Sequence, residues 1–401
     1  MRIASKKDME GIKMVDLNGL MDRIRPELDA AIKRVLDSGR FIGGEEVDAF
    51  SKELTSAMCL HEGKTIGGLS DDVFIVPCAN GTDALQIALM ALGVGPGDEV
   101  ITPAFTFIST VEVIALLGAK AVLVDVQSDT FNIDCHAVEK AITEKTKAII
   151  PVHLFGQCAD MGALMEISKK TGVPIIEDTA QSLLSTYCDD QGKSGRAGLF
   201  GAFGTTSFFP SKNLGCFGDG GALFTHDKKL AQTAKSITNH GGLKRYQHDM
   251  VGLNSRLDAL QAAVLRVKLP HLNTYISHRQ TAADIYDDLL KNVEGIVIPV
   301  RDEKSSHVFH QYTLKIEGKD RDELARGLAE DGVPTGVYYP KGIHEQKAFE
   351  ELGYKTGEFP ITEKLSKTVL SLPMHTELSS AQQKYIVARL VSRLSEIKGE
   401  V

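Results

Sequence analysis

The chain has 401 residues, of which 43% are apolar, which is enough for two domains or one large domain with a satellite. A net charge of −8 excludes non-specific nucleic-acid binding as the main activity, because that binding needs clustered positive charge. No apolar run reaches the roughly 18 residues that a membrane-spanning helix requires, and the charged first residues lack the apolar region of a signal peptide.

The N-terminal part is predicted to be helical. Apolar residues recur at helical spacing from Leu17 to Leu36, which predicts one helix that stops at Ser38-Gly39. A second helix is expected over about Glu45 to Ser56. The glycine-rich, polar segment from His61 to Asp72 is predicted to be a surface loop.

From Val73 to Glu177, short apolar runs alternate with helical patterns. The predicted strands are Val73 to Pro77, Glu99 to Thr102, Ala121 to Asp125, Ala148 to His153 and Pro174 to Glu177. The predicted helices are Ala84 to Leu92, Phe107 to Leu117, Ala137 to Ile142 and Met161 to Lys170. This alternation predicts βαβ units and therefore a mostly parallel sheet that helices cover on both faces.

The second half of the chain changes character. The glycine-rich stretch Gly198 to Gly221 predicts short strands and tight turns. A helix is expected from about Leu257 to Leu269, and a long helix from Leu272 to Asn292 links to a smaller C-terminal α/β domain. In that domain we expect Val308 to Ile316 as a strand, Arg321 to Asp331 as a helix, Thr335 to Tyr339 as a strand and Ala381 to Glu396 as the closing helix. The predicted domains are residues 1–270 and 271–401.

An acidic pair follows one of the predicted strands. The segment Ile175 to Gln181 reads Ile-Ile-Glu-Asp-Thr-Ala-Gln, so an apolar strand delivers Asp178 to its carboxyl end, where open parallel sheets bind ligands. A carboxylate there can pair with the protonated ring nitrogen of pyridoxal phosphate (PLP), whose ring is the electron sink of PLP catalysis. Alone, the pattern fits a helix N-cap at Asp178 equally well.

A lysine lies in unusual surroundings further along the chain. Lys212 stands between the aromatic run Phe208-Phe209 and a glycine-rich turn that begins at Gly215. A lysine in a pocket of low dielectric has a lowered pKa and becomes a nucleophilic amine, as Schiff-base formation requires. Alone, an exposed loop lysine is the more frequent interpretation.

A third motif, Ala79 to Ala84, reads Ala-Asn-Gly-Thr-Asp-Ala at a strand-to-helix junction. The N-terminus of a helix presents free N–H groups and the positive end of the helix dipole, which suits a phosphate. The pattern is weak alone. Together, the three motifs supply a phosphate cradle, an acid for the ring nitrogen and an imine-forming amine.

At the level of longer segments, the chain resembles the nucleotide-sugar aminotransferases of the DegT-like family, which are fold-type I PLP enzymes. The similarity runs from about Met14 to about Leu394. Its most specific segments are Glu177 to Ser182, Ser207 to Gly215, Asn239 to Gly241 and Val251 to Asp258. The resemblance implies a three-layer α/β fold with a mostly parallel sheet and a smaller C-terminal α/β domain.

By matching position, the resemblance also implies a role for each of several residues. It implies that Lys212 is the lysine that binds PLP and later moves the proton. It implies that Asp178 pairs with the pyridine nitrogen. The implied cofactor contacts are Gly81, Thr82 and Ser207 on the phosphate, Phe107 over the ring, Gln181 at the ring hydroxyl and Asn254 from the partner subunit of a homodimer. The implied substrate contacts are Arg256, Tyr338, Tyr339 and His344. Arg256 fits a structural ion pair with Asp258 or another acid about as well.

The implied reaction moves an amino group from glutamate to a nucleotide keto-sugar, most similar to a UDP-linked 3-keto-N-acetylhexosamine or its uronic acid. Some relatives that use the uronic acid carry His where Tyr338 stands, so the sugar stays open, and a 4-keto-6-deoxy sugar is the alternative. Relatives that dehydrate sugars replace the lysine with histidine, whereas this chain keeps Lys212.

Other classes fit the sequence less well. The glycines at 198, 201 and 204 do not form the G-x-G-x-x-G of a nicotinamide dehydrogenase. A non-enzymatic regulator would gain support from an added helix-turn-helix, for which there is no room. No metal site is predicted, because H-E-x-x-H and dense His/Asp clusters are missing from the sequence. The six scattered cysteines contain no C-x-x-C pair and predict reduced thiols in a cytoplasmic protein.

Overall fold

The computed structural model describes residues 11–61, 64–65, 72–192 and 194–397. Its α-helices are α1 Leu17–Asp22, α2 Arg25–Ser38, α3 Glu45–Cys59, α4 Gly81–Ala91, α5 Ser109–Leu116, α6 Cys135–Ala141, α7 Met161–Thr171, α8 Lys228–Ile237, α9 Ala259–Lys268, α10 Leu272–Leu290, α11 Arg321–Glu330, α12 Pro360–Thr368 and α13 Ser380–Glu396. Short 3₁₀ turns occupy Leu154–Gly156, Leu269–His271, Ile343–Glu345 and Lys347–Leu352.

The strands are β1 Leu60–His61, β2 Lys64–Thr65, β3 Phe74–Cys78, β4 Glu99–Pro103, β5 Lys120–Val124, β6 Thr146–Ile149, β7 Ile176–Asp178, β8 Thr186–Cys188, β9 Ser194–Arg196, β10 Phe203–Ser207, β11 Gly221–Thr225, β12 Ile296–Val297, β13 Tyr312–Ile316 and β14 Val369–Leu372. Of the predicted loop from His61 to Asp72, residues 62–63 and 66–71 lie outside the described residues. The strands β1 and β2 pair antiparallel at its start.

The large sheet positions the candidate site. Hydrogen-bonded pairing gives the order β3-β11-β10-β7, and parallel bridges join the β7 segment to the β6 segment of a second group ordered β6-β4-β5. Only β11 runs antiparallel to its neighbours in this order of described strands. The prediction of a mostly parallel sheet is therefore confirmed.

Helices cover both faces of this sheet, as the three-layer prediction required. On one face, α4, α5 and α8 bury residues such as Ile87, Val113 and Ile237 in a single apolar cluster. On the other face, α3, α9 and the start of α10 pack around Phe208 and Phe224, while α6 and α7 cover the β4–β6 part of the sheet. Parallel strands need such cover because neither of their faces can be left in water.

The C-terminal domain has its own core. An antiparallel sheet, β12-β13-β14, packs against α11, α13 and the second half of α10. The long helix belongs to both cores: Leu272 and Ile276 are part of the large-domain cluster, and Tyr286 and Leu290 are part of the small one. A division near residue 270 stays a prediction.

Two local predictions were wrong. The expected helix from Leu17 to Leu36 is broken between α1 and α2, because Pro26 has no N–H for the carbonyl of Asp22 and its ring excludes a continuous helix there. The expected strand from Thr335 to Tyr339 makes only one bridge, from Gly336 to Ser371. Beyond Gly336 the chain leaves the small sheet, and Tyr338 and Tyr339 pack against the apolar cluster around Phe105. The sequence also did not reveal α12 and β14.

None of the helices in the described ranges combines the length and the apolar character that a bilayer crossing would demand.

Candidate active site

The Lys212 turn is a rigid feature of the large domain. It follows β10 and closes on itself, because the amide of Cys216 donates to the carbonyl of Phe208 at 2.8 Å. Phe208 and Leu214 are buried and anchor both sides of the turn in the core. At Gly215 a Cβ atom would lie 2.3 Å from the carbonyl oxygen of Pro210, so only glycine allows the turn to close.

The turn places the Lys212 amine in a cavity of about 900 Å³, which is lined by strand ends of the large sheet, by the N-terminus of α4 and by residues 310–311 and 338–339. Burial lowers the pKa of this amine to about 8, although the nearby carboxylate of Asp178 acts in the opposite direction. Among the described residues, the Lys212 amine has no hydrogen-bond partner. An amine in this condition is available for nucleophilic attack at neutral pH.

Asp178 ends β7, the strand next to β10, and its carboxylate is held from two sides. One carboxylate oxygen accepts a hydrogen bond from the Ala180 amide and the other from the Thr110 hydroxyl, both at 3.1 Å. Burial raises the pKa of this carboxyl, while these two donors and the Lys212 charge lower it. A cation in the cavity would find an oriented and poorly solvated carboxylate, which is the arrangement that pairs strongly with charge.

The neighbouring acid, Glu177, points away from the cavity. Its carboxylate accepts from the amides of Gly198, Phe200 and Gly201 at 2.7–2.8 Å and lies 3.0 Å from Nε2 of His153. Because the Ala159 amide donates to Nδ1 of His153, the ring proton is on Nε2 and is donated to Glu177. Glu177 therefore organises the glycine-rich turn before β10.

The N-terminus of α4 forms another wall of the cavity. The Asn80 side chain accepts from the Asp83 amide at 2.8 Å and so caps the helix. A Cβ atom on Gly81 would lie 2.6 Å from Cβ of Ser207, so glycine is required for the helix to meet the end of β10. The amides of Gly81 and Thr82 and the hydroxyl of Ser207 thus converge in a position suited to a phosphate.

Aromatic and amide groups complete the cavity. Phe107 lines the cavity and is 55% exposed, so much of its aromatic surface is available to contact a ligand. Gln181 accepts from the Phe155 amide at 2.8 Å and donates from Nε2 to the Tyr339 hydroxyl at 3.2 Å. The ring centroids of Phe107 and Tyr339 are 6.2 Å apart.

The structure brings most of the predicted site residues together, because nine of the twelve line this one cavity: Gly81, Thr82, Phe107, Asp178, Gln181, Ser207, Lys212, Tyr338 and Tyr339. Asn254 and Arg256 lie elsewhere on the surface of the same chain, where Arg256 donates to the Asn254 side chain at 2.5 Å. His344 is buried against Phe359, with Nε2 3.3 Å from Glu363. The role of His344 in substrate binding stays a prediction.

Some contributors escaped sequence reasoning. Thr110 orients Asp178 from α5, which is 68 residues earlier in the chain. His310 and Gln311 reach the cavity from the segment before β13. Each of them has one buried polar side-chain atom without a partner among the described residues, and burial lowers the pKa of His310 well below its usual range. No spacing rule links these residues to Lys212, so the sequence carried no signal for them.

This donor set fits PLP. The cavity offers an amine of lowered pKa for the aldehyde, a buried carboxylate for the ring nitrogen, an exposed aromatic side chain and a helix N-terminus for the phosphate. Among the described residues there is no group of three or more His, Cys, Asp or Glu side chains that could hold a metal ion.

Comparison with known proteins agrees with this geometry. The model of the DegT/DnrJ/EryC1/StrS aminotransferase family matches residues 22–391. The chain is 45% identical over 381 residues to a pleiotropic regulatory protein of Geobacillus stearothermophilus, covering 94% of this chain and 97% of that protein. It is also 45% identical over 381 residues to UDP-2-acetamido-2-deoxy-3-oxo-D-glucuronate aminotransferase of Pseudomonas aeruginosa, covering 95% of this chain and all of that enzyme.

The fold has solved counterparts as well. The crystal structure of NtdA from Bacillus subtilis, which holds the bound cofactor pyridoxamine phosphate (PMP), superposes with a TM-score of 0.83 at 29% identity. The match covers 98% of this chain and 85% of that one.

Proposed function

Because the chain belongs to the DegT/DnrJ/EryC1/StrS aminotransferase family, we propose that it transfers an amino group from glutamate to the 3-keto position of a UDP-linked N-acetylhexosamine or its uronic acid. The predictions of a PLP-dependent enzyme and of transaminase activity on sugars are confirmed by the family match and the named relatives. Three details are proposed: that glutamate is the amino donor, that the nucleotide is UDP, and that the keto group is at position 3 of the sugar.

One observation carries the catalytic part of the proposal: Asp178, at the end of β7, and Lys212, on the turn after the adjacent strand β10, line the same cavity. When bound, PLP supplies an aldehyde that condenses with amines and a ring that accepts an electron pair. The Lys212 amine, with its pKa of about 8, is the group that we propose holds the cofactor. As a free amine, the same Nζ atom would accept the proton that leaves the α-carbon of the amino donor and would deliver it to the carbon of the former aldehyde.

The other residues bind, orient and exclude water. We propose that Asp178, fixed by Thr110 and Ala180, keeps the proton on the ring nitrogen. The Nε2 amide of Gln181 is a donor for the ring hydroxyl, since its Oε1 is already bound to Phe155. The amides at the start of α4 and the Ser207 hydroxyl would hold the phosphate, and the Phe107 ring would cover one face of the cofactor.

The proposal includes a homodimer whose partner subunit completes each site. Asn254 is exposed and lies outside the cavity of its own chain, as expected for a residue that serves a partner. In the segment that precedes it, Val251 is 86% exposed and Tyr246 is 81% exposed. Large apolar side chains exposed together mark protein–protein contact surfaces. Arg256 is held by Asn254 and makes no ion pair with Asp258 in the described structure, which favours its proposed role in substrate binding across that contact.

The UDP-linked 3-keto-sugar is supported by the printed activity of the Pseudomonas aeruginosa relative. Tyr338 and Tyr339 line the same cavity as Lys212, and the proposal places the sugar against them. We also propose that the protein is cytoplasmic, because cysteine thiols stay reduced in that compartment. Burial raises the pKa of the Cys158 thiol to about 12 and that of Cys216 to about 11, so these two groups are inert.

The test is a panel of UDP- and dTDP-linked 3-keto and 4-keto sugars with glutamate, read by product mass and by 2-oxoglutarate release. We expect amination of the UDP-linked 3-keto compounds, and Lys212→Ala serves as the inactive control. Amination of 4-keto sugars alone would overturn the proposed substrate. Failure with every amino acceptor would instead support the regulator that the name of the Geobacillus stearothermophilus relative suggests.

A further inference from the structure

A second, much smaller cavity of about 20 Å³ lies behind the Lys212 turn. Asn213 lines it from the turn, Tyr275 and Arg279 line it from α10, and His375 lines it from the segment after β14. Residues 15–17 and 20 cover it from the N-terminal side. A polar cavity of this size has room for one water molecule.

Four buried polar atoms that belong to residues lining this rear cavity have no hydrogen-bond partner among the described residues. They are Oδ1 of Asn213, Oη of Tyr275, Nε of Arg279 and Nε2 of His375. Asn213 and Tyr275 are 8% exposed, and Arg279 and His375 are 4% exposed. Buried polar groups are almost always paired, so four unpaired atoms on one cavity indicate a missing common partner.

The hydrogen-bonding role of each atom is set by its neighbours. Nδ2 of Asn213 donates to the Val308 carbonyl at 3.2 Å, so the carbonyl oxygen of Asn213 is the atom left to accept in the cavity. Nδ1 of His375 accepts from the Glu377 amide at 3.2 Å, which leaves the proton on Nε2. Nε of Arg279 can only donate, and the Tyr275 hydroxyl can donate or accept.

This combination matches water. A water molecule accepts two hydrogen bonds and donates two, which the two N–H donors, the amide oxygen and the hydroxyl can satisfy together. Lys212, Lys268 and Arg279 also line this cavity and would attract an anion, although the Lys268 amine is bound to the Gly215 carbonyl. A halide only accepts hydrogen bonds, so it would leave the carbonyl oxygen of Asn213 without a donor. We therefore propose that the rear cavity holds one ordered water bound by Asn213, Tyr275, Arg279 and His375, and that this water positions the Lys212 turn.

The frame that holds this water is rigid. Nη1 of Arg279 donates to the carbonyls of Phe309, His310 and Met374 at 3.1–3.2 Å, which fixes α10 to the segment before β13 and to the segment before His375. The water extends this frame to Asn213, the residue after Lys212. The four residues are thus positioning residues. The effect on catalysis depends on the proposed role of Lys212, whereas the presence of the water does not.

The direct test is a crystal structure of the PLP-bound enzyme at a resolution that shows ordered water, together with a bromide-soaked crystal. We expect one density peak within hydrogen-bonding distance of the four atoms and no anomalous bromide signal there. An empty cavity, or a bromide peak in it, would overturn the proposal. If Lys212→Ala kept full activity while the water was present, the proposed role of Lys212 would fail and the water site would stand.

A pair of tyrosine variants on α10 tests the positioning role. Tyr275→Phe removes a partner of the water, whereas Tyr286→Phe removes a buried hydroxyl that donates to the Pro373 carbonyl at 3.1 Å, away from the rear cavity. We expect Tyr275→Phe to shift the pKa read from the visible absorbance of bound PLP and to lower kcat roughly fivefold, with KM little changed. Tyr286→Phe should lower only the melting temperature. Identical absorbance titrations for the two variants would contradict a positioning role.

Discussion

Two lysines, Lys212 and Lys268, line the same small cavity and differ in what surrounds their amines. Burial lowers the pKa of both Lys212 and Lys268 to about 8. The Lys268 amine donates to the Gly215 carbonyl at 2.6 Å and lies 4.6 Å from the centroid of the Phe217 ring. The Lys212 amine faces the large cavity and Asp178. A lowered pKa thus does not identify a nucleophile; an amine without a partner that faces a cavity does.

The two acids at the end of β7 show the same contrast. All hydrogen bonds of the Glu177 carboxylate go to the turn before β10 and to His153. Asp178, the next residue, points to the opposite side of the strand and towards the cavity, because side chains alternate along a strand. One residue of the pair stabilises the fold, and the other is available for chemistry.

The largest expected effect comes from removing the cavity-facing amine. Lys212→Ala should lower kcat by roughly 10²–10⁴-fold, because it removes a positioned proton carrier. It should also bind PLP without the absorbance of the lysine imine, which is measured by visible spectroscopy.

Lys268→Met is the matched variant. It should keep that absorbance and lower the free energy of unfolding by about 1–3 kcal/mol, because the Gly215 carbonyl loses its donor. If the imine absorbance survived Lys212→Ala and disappeared in Lys268→Met, Lys268 and not Lys212 would be the lysine that forms the imine with PLP.

The acidic pair provides the next test. Asp178→Asn should lower kcat by about 10²–10³-fold, because it leaves the ring nitrogen without a charged partner. Glu177→Gln should destabilise the chain in urea, because an amide cannot accept from the Gly198 turn and from His153 as the carboxylate does. The folded Glu177→Gln protein should retain most of its activity. Comparable losses of kcat in both variants would show that the side of β7 on which a carboxylate lies does not decide whether it takes part in catalysis.

The pH dependence of amine reactivity sharpens the comparison of the lysines. A pKa of about 8, lowered from 10.5, means that half of the Lys212 amine is unprotonated at pH 8. The unprotonated fraction, and therefore the labelling rate, should rise as pH rises through about 8. At pH 8 the cofactor-free protein should be labelled by a small aldehyde at Lys212 roughly 10²-fold faster than at an exposed lysine. Lys268 should be labelled slowly because its amine is already bound. Peptide mass spectrometry measures each site, and equal rates for the two lysines would argue against the distinction.

The smallest effect is expected at the support of Asp178. Thr110→Val removes a hydroxyl whose hydrogen bond lowers the pKa of the Asp178 carboxyl. The pKa of Asp178 should rise, so a higher pH is needed to ionise it and the acidic limb of the kcat profile should move to higher pH. The loss of kcat at neutral pH should be about tenfold, which is the lower end of the range for one hydrogen bond to a charged group (about 1.5 kcal/mol). An unchanged acidic limb would mean that this hydroxyl does not tune Asp178.

Much of the site could be predicted from local patterns. Asp178 follows an apolar strand, the Asn80-Gly81-Thr82 junction lies between a strand and a helix, and Lys212 adjoins a glycine-rich turn. Parallel strands bring their carboxyl ends to one edge of the sheet, so local motifs at strand ends become neighbours in space. The contributions of Thr110, His310 and Gln311 could not be predicted, because their link to Lys212 exists only after distant segments have packed.

The amino-acid sequence by itself determined the alternation of strands and helices, the mostly parallel sheet and which residues are candidates for the reactive groups, because periodicity and residue chemistry are local properties. The tertiary structure decided which of two lysines with the same lowered pKa faces a cavity and which of two adjacent acids is free. It also decided that Asn213, Tyr275, Arg279 and His375 share one small cavity. Burial and hydrogen-bond satisfaction depend on contacts between residues far apart in the chain, and no local pattern encodes those contacts.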